Sequence, residues 1–249
     1  MVPRDQLLDE ATLTGLIDPL RPWVGLQPRT RFREALALAA YRAQVEWPVI
    51  AALLSDDAAQ YRLVTAEHAL CWIHEGRHFK KLVAHVPRHQ KLLAEFRKDF
   101  WAFYRDLNAY REQPTPADAT RLELGFDTLF GRTTGFELLD HRIALTRDKK
   151  DGLLLVLRHP ELPLHNNPAE LAARRRVRKR DVSFGPKSAA GTKAWDTFMT
   201  LAATTQKLGV SFFAYLQDRL HQAGRVPPLA DLIRERAATL NLSASWASA

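Results

Sequence analysis

Glu170 stands in the segment His165-Asn166-Asn167-Pro168-Ala169-Glu170, which runs directly into Leu171-Ala172-Ala173 and then Arg174-Arg175-Arg176-Val177-Arg178-Lys179-Arg180. One carboxylate is therefore followed by six cations with no acid among them, a combination suited to holding a metal beside a phosphate backbone. Asp56 and Asp57 follow the apolar run Val49-Ile50-Ala51-Ala52-Leu53-Leu54 and Ser55. If they converge on Glu170, two or three carboxylates without histidine or thiol form the ligand set expected for magnesium. Two such ions roughly 4 Å apart activate the attacking oxygen of a phosphodiester exchange and stabilise the leaving one.

Each of these groups also has a plainer reading. Asn167-Pro168-Ala169-Glu170 has the form of a capping box, with Asn167 as N-cap, Pro168 at the first helical position and Glu170 reaching back to the cap. Asp56 and Asp57 fit a solvated turn after a strand. The basic run is harder to assign to solvent alone, because an ordinary exposed helix interleaves acids to form pairs four residues apart. Phosphate contact through Arg174, Arg175, Arg178, Lys179 and Arg180, with Lys187 beyond them, fits better and would depend steeply on salt. A nuclear-localisation reading of the run is compatible but not specific.

Cys71-Trp72-Ile73-His74 resembles half of a zinc site, but Cys71 is the only cysteine and cannot complete a usual structural set. Trp72 reads as core, while His74, Arg77, His78, Lys80 and Lys81 form a cationic face on the helix that follows. The sequence has no glycine-rich phosphate loop and no Gly-x-Ser-x-Gly elbow, which leaves nucleotide hydrolysis and serine-hydrolase chemistry without support.

These groups need elements to position them. Residues 49–54 read as a buried strand ending at the paired acids, and residues 69–73 as a second short strand. Residues 29–44 suggest a helix that Pro48 resets. Leu93, Phe96, Phe100, Phe103, Leu107 and Tyr110 recur at spacings of three and four, so they form one apolar stripe on a long helix. Thr115-Pro116-Ala117-Asp118 starts a second helix running to about Gly131. A third is expected over residues 136–158, buried through Leu139, Ile143, Leu153, Leu154 and Leu157 and stopped by His159-Pro160. After the basic helix come a short strand at 182–185, a helix over 192–208 closed by Gly209, another over 210–220, and a final one ending near Leu240. The tail from Ser243 is expected to fray.

At 249 residues and 46% hydrophobic content the chain is globular rather than disordered. Its apolar runs are far shorter than the roughly 20 residues of a membrane span, and acids occupy the opening where a signal peptide needs an apolar core. The expectation is a soluble, cytoplasmic protein with no membrane partner. A lone cysteine excludes an internal disulfide. The net charge of +8, concentrated in one run, favours a polyanionic partner.

Three segments together resemble the C-terminal catalytic part of the DDE transposases of insertion-sequence family sixty-six. They are Leu53-Leu54-Ser55-Asp56-Asp57-Ala58-Ala59-Gln60-Tyr61, then the block from Leu70 through Cys71, Trp72 and His74 to Phe79, and the stretch from His165 through Asn166, Asn167 and Glu170 to Phe184-Gly185 and Tyr215-Leu216. The resemblance implies metal-dependent DNA strand cleavage and transfer, with Mg2+ or Mn2+ on Asp56 or Asp57 and on Glu170. Asp56 is preferred as the second acid because Tyr61 follows it by five residues, and Glu170 becomes the third. DNA, as element ends and target, is the implied partner, and a homo-oligomer is compatible.

The family's first aspartate lies on an earlier strand, whereas the earlier candidates here are Asp5, Asp9 and Asp18, none after a convincing strand. The expectation is a truncated, mostly α chain with a small β component: an incomplete RNase H-like α/β core carrying a long helical insertion. Residues 1–74 would hold the second acid, 75–160 the insertion, and 161–249 the third acid and terminal helices. Such a chain would be weak or inactive alone. The alternative is a non-catalytic DNA-binding or partner-binding remnant.

Overall fold

The computed structural model describes residues 9–19, 25–45 and 49–239. It is mostly helical with one small sheet, so the mostly α expectation holds. The chain divides into two units, residues 1–53 with 59–67, and residues 54–58 with 68–249.

In the first unit are helices α1 (Glu10–Ile17), for which no bounds were expected, and α2 (Leu26–Ala43), which corresponds to the helix expected over 29–44. Asp9 caps α1 by accepting from the Thr12 amide at 2.8 Å, and Asp18 pairs with the buried guanidinium of Arg29. Two of the three upstream aspartates thus have structural partners, while Asp5 and Pro48 lie outside the described residues. The buried strand expected over 49–54 is a correction: Val49 and Ile50 are exposed, and strand β1 spans only Ala52–Ser55. It pairs in parallel with β2 (Glu67–Leu70), and among the described residues those upstream of β1 have no ladder partner.

The second expected strand also ends early. Cys71 donates its amide to the Ser55 carbonyl at 2.9 Å, and helix α3 (Trp72–Lys81) starts at once. The spacing Trp72, Glu75, Gly76, Phe79 puts one face of α3 in the core. There it meets α4 (Pro87–Glu112), whose stripe from Leu93 to Tyr110 is buried at all six expected positions. The Trp72 ring lies 5.5 Å from Phe100 and 5.6 Å from Phe103 between centroids, distances at which tilted aromatic pairs attract. Gly76 permits this approach, because a Cβ there would stand 2.7 Å from Cζ2 of Trp101. Arg97 on α4 donates to the carbonyls of Phe79, Lys80 and Leu82 at the end of α3.

Helix α5 (Pro116–Phe130) is capped by Thr115, which accepts from the Asp118 amide at 3.1 Å. The single helix expected over 136–158 is instead α6 (Glu137–Arg147), α7 (Lys150–Leu153) and a 3-10 turn at Leu155–Leu157. Leu153, Leu154, Leu155 and Val156 are all buried, and four consecutive side chains cannot share one face of a helix with 3.6 residues per turn. The break also frees the Leu153 carbonyl to accept the Trp72 indole N–H at 2.9 Å.

The basic helix, α8, spans Asn167–Ser183. The strand expected over 182–185 is absent: Val182 and Ser183 finish α8, and Phe184 and Gly185 turn the chain with φ of 58° and 70°. Helices α9 (Ala189–Lys207), α10 (Phe212–His221) and α11 (Leu229–Thr239) follow, with Gly209 at φ 73° after α9. The expected end near Leu240 and the tail from Ser243 lie outside the described residues.

Candidate functional site

Glu170 does not close the expected capping box. The N-cap is Asn166, one residue earlier than expected, and it makes no side-chain capping bond. The Glu170 carboxylate instead turns towards α3, with Oε1 3.4 Å from His74 Nε2 and Oε2 3.6 Å from Arg77 Nη2. The start of α8 is brought to α3 by the backbone, where the Trp72 amide donates to the Leu164 carbonyl at 3.0 Å.

Arg77 Nη1 lies 2.9 Å from His74 Nε2. Arginine can only donate, so Nε2 is the acceptor and the imidazole proton sits on Nδ1. That leaves Nε2 with no proton for Glu170, whose buried Oε1 indeed has no hydrogen bond. The buried side-chain atoms His74 Nδ1, His165 Nδ1 and Asn166 Oδ1 also lack hydrogen-bond partners, so residues from both expected motif blocks carry unused polar capacity.

The paired acids after β1 separate in role. Asp57, with φ 68°, is held by Lys149 Nζ at 2.9 Å. Lys149 also lies 3.1 Å from Oε2 of Glu75, which is buried on α3 and further bound by Arg142 and by the Thr146 hydroxyl at 2.7 Å. Asp56 is exposed and accepts from the Ala58 amide at 3.3 Å, the hydrogen bond of an Asx turn. The side chain with an open carboxylate is therefore Asp56, and Asp57 is tied to the helical segment.

Sequence reasoning missed Glu75, Lys149 and Arg142. The three-and-four spacing from Trp72 to Phe79 could have marked Glu75 as buried, but nothing local marks Lys149. The implied metal can be tested against these donors. Among the described residues no three His, Cys, Asp or Glu side chains converge. The carboxylates of Asp57 and Glu170 already face an ammonium or a guanidinium, whose charge opposes a divalent cation. The residues present do not by themselves fit a two-metal centre.

Helix α8 buries none of its residues. Arg175 donates to Gln206 at 2.9 Å, Arg176 pairs with Asp196 at 2.6 Å, and Lys179 Nζ lies 5.6 Å over the Trp195 ring, so the helix rests on α9. Arg174, Arg178 and Arg180 are exposed and have no acidic partner among the described residues, and Lys187 is exposed beyond them. Arg77 and Lys80 are exposed on α3. Cys71 is buried and forms no disulfide. Among the described residues no helix is long and apolar enough to cross a membrane.

The Transposase IS66 family matches residues 33–194, from α2 to the start of α9. The uncharacterized protein y4jO of Sinorhizobium fredii (strain NBRC 101917 / NGR234) is 40% identical over 186 residues, which are 74% of this chain and 57% of that protein. The chain thus spans little more than half the length of the curated relative it matches. No solved structure matches. On the family match and this likeness, the chain belongs to the IS66 family of transposases.

Proposed function

We propose that this chain is a DNA-binding part of a DDE-type transposase that holds phosphates along α8 and has little or no strand-cleaving activity alone. Family membership supports a role in transposition. The observation that carries the DNA reading is α8 itself, a helix of 17 residues with none buried and three cations lacking acidic partners among the described residues. Leaving such a charge run uncompensated disfavours the folded state unless a polyanion meets it. Arg175, Lys179, Lys187, Arg77 and Lys80 extend the cationic surface. DNA bound here is read through its backbone, with little preference for sequence.

In this reading Asp56 and Glu170 correspond to the second and third acids of the DDE set, and β1, β2 and α8 belong to an RNase H-like core. The helices α4 to α7 are the insertion between the acids. Glu170's release from capping and the open carboxylate of Asp56 support these roles. The donor set supports low activity, because no three acid or histidine side chains converge among the described residues and the carboxylates of Asp57 and Glu170 face cations. The test is a plasmid-nicking assay with the purified chain and Mg2+. Retardation of the plasmid without nicking is expected; Mg2+-dependent nicking that Glu170→Gln abolishes would overturn the claim of inactivity.

A further inference from the structure

Helices α8 and α9 form a hairpin whose connection, residues 184–188, carries an aromatic ring in an unusual place. Phe184 adopts the left-handed conformation, which glycine takes freely and bulky residues avoid, and it is 85% exposed. Neither packing nor backbone preference explains a phenylalanine there. The turn lies between cations, with Arg178 and Arg180 before it and Lys187 after it. Gly185 lets the turn close on its flank: a Cβ there would lie 3.1 Å from Cγ of Arg180 and 3.7 Å from Cζ3 of Trp195. The Trp195 indole nitrogen is buried without a hydrogen-bond partner.

We propose that the tip of this hairpin binds unpaired DNA bases, with one base stacked on Phe184 and the adjoining phosphates on Arg178, Arg180 and Lys187. This deepens the reading of α8 as a phosphate-binding helix and rests on it. Cations alone serve duplex phosphates, whereas an exposed ring set among cations matches a strand whose base faces are open. In a continuous duplex those faces are covered by neighbouring bases, so the expected ligand is single-stranded DNA such as a frayed end.

The experiment compares the full chain with Phe184→Gly and Phe184→Trp by fluorescence anisotropy on a single-stranded oligonucleotide and on a duplex of equal length. A 2-aminopurine in the single strand reports stacking directly. Glycine relieves the backbone conformation, so this variant cannot lose binding through strain. Phe184→Gly is expected to weaken single-strand binding about tenfold and abolish 2-aminopurine quenching, with duplex affinity unchanged and Phe184→Trp restoring both signals. Equal effects on the two DNAs, no effect on either, or a change in self-association instead would overturn the proposal while leaving phosphate binding standing. Failure of the unaltered chain to bind either DNA would overturn the reading of α8 and this inference with it.

Discussion

His74 and Glu170, 96 positions apart in the chain, meet with Nε2 3.4 Å from Oε1. The Arg77 guanidinium, 3.6 Å from Oε2, holds the carboxylate at α3 and away from the cap it could have formed. Because Arg77 donates to the same imidazole nitrogen, Nε2 has no proton for the carboxylate and Oε1 is left without a hydrogen bond.

Replacing Glu170 with alanine should therefore cost little stability. A partly exposed ion pair contributes about 1 kcal/mol or less, equivalent to a melting shift of a few degrees at most for a chain of this size. Thermal unfolding followed by circular dichroism checks this. A loss several times larger would mean that Glu170 is a structural keystone rather than a group held for chemistry.

Glu75 should behave in the opposite way. It is buried and bound by Arg142, Lys149 and Thr146, so Glu75→Gln removes the carboxylate that Arg142 pairs with beside the core and leaves Lys149 with Asp57. Removing one partner of a buried pair costs about 3 kcal/mol or more. A urea midpoint close to that of the unaltered chain would contradict this assignment.

Acid should weaken the start of α6 through Asp140. Burial opposes ionisation of its carboxylate, but the Thr134 amide and hydroxyl and the Gly135 amide all donate to it, and together they hold its pKa below the ordinary 3.8. A lowered folded pKa gives stability that is present above the unfolded value and lost as pH falls through the folded one. Asp140→Ala should therefore be more destabilising at about pH 7 than at about pH 2. Urea unfolding at both pH values measures the difference; an equal cost at both would remove the charge from the explanation.

The sequence made the helical scaffold legible wherever one signal dominated. The α4 stripe and the Thr115 cap are local patterns, and the structure follows them. The break after Arg147 was not legible, because a run of four leucines and valines is compatible with a buried helix, strand or turn until packing decides. The cap at α8 slipped by one residue because the adjacent Asn166 and Asn167 are residues of the same type, equally able to serve. Lys149 was invisible for the same reason: its two carboxylate partners, Asp57 and Glu75, lie far upstream in the chain. The basic run was plain from composition, but the exposed Phe184 was read as part of a strand.

The most direct test of the central claim is the salt dependence of duplex DNA affinity for the full chain and for the triple variant Arg174→Gln, Arg178→Gln, Arg180→Gln. Each phosphate contact contributes about −0.9 to the slope of log K against log salt. Phosphate binding by α8 predicts a steep slope for the unaltered chain and one shallower by about 2 to 3 for the triple variant. The same slope and affinity for both proteins would contradict the account.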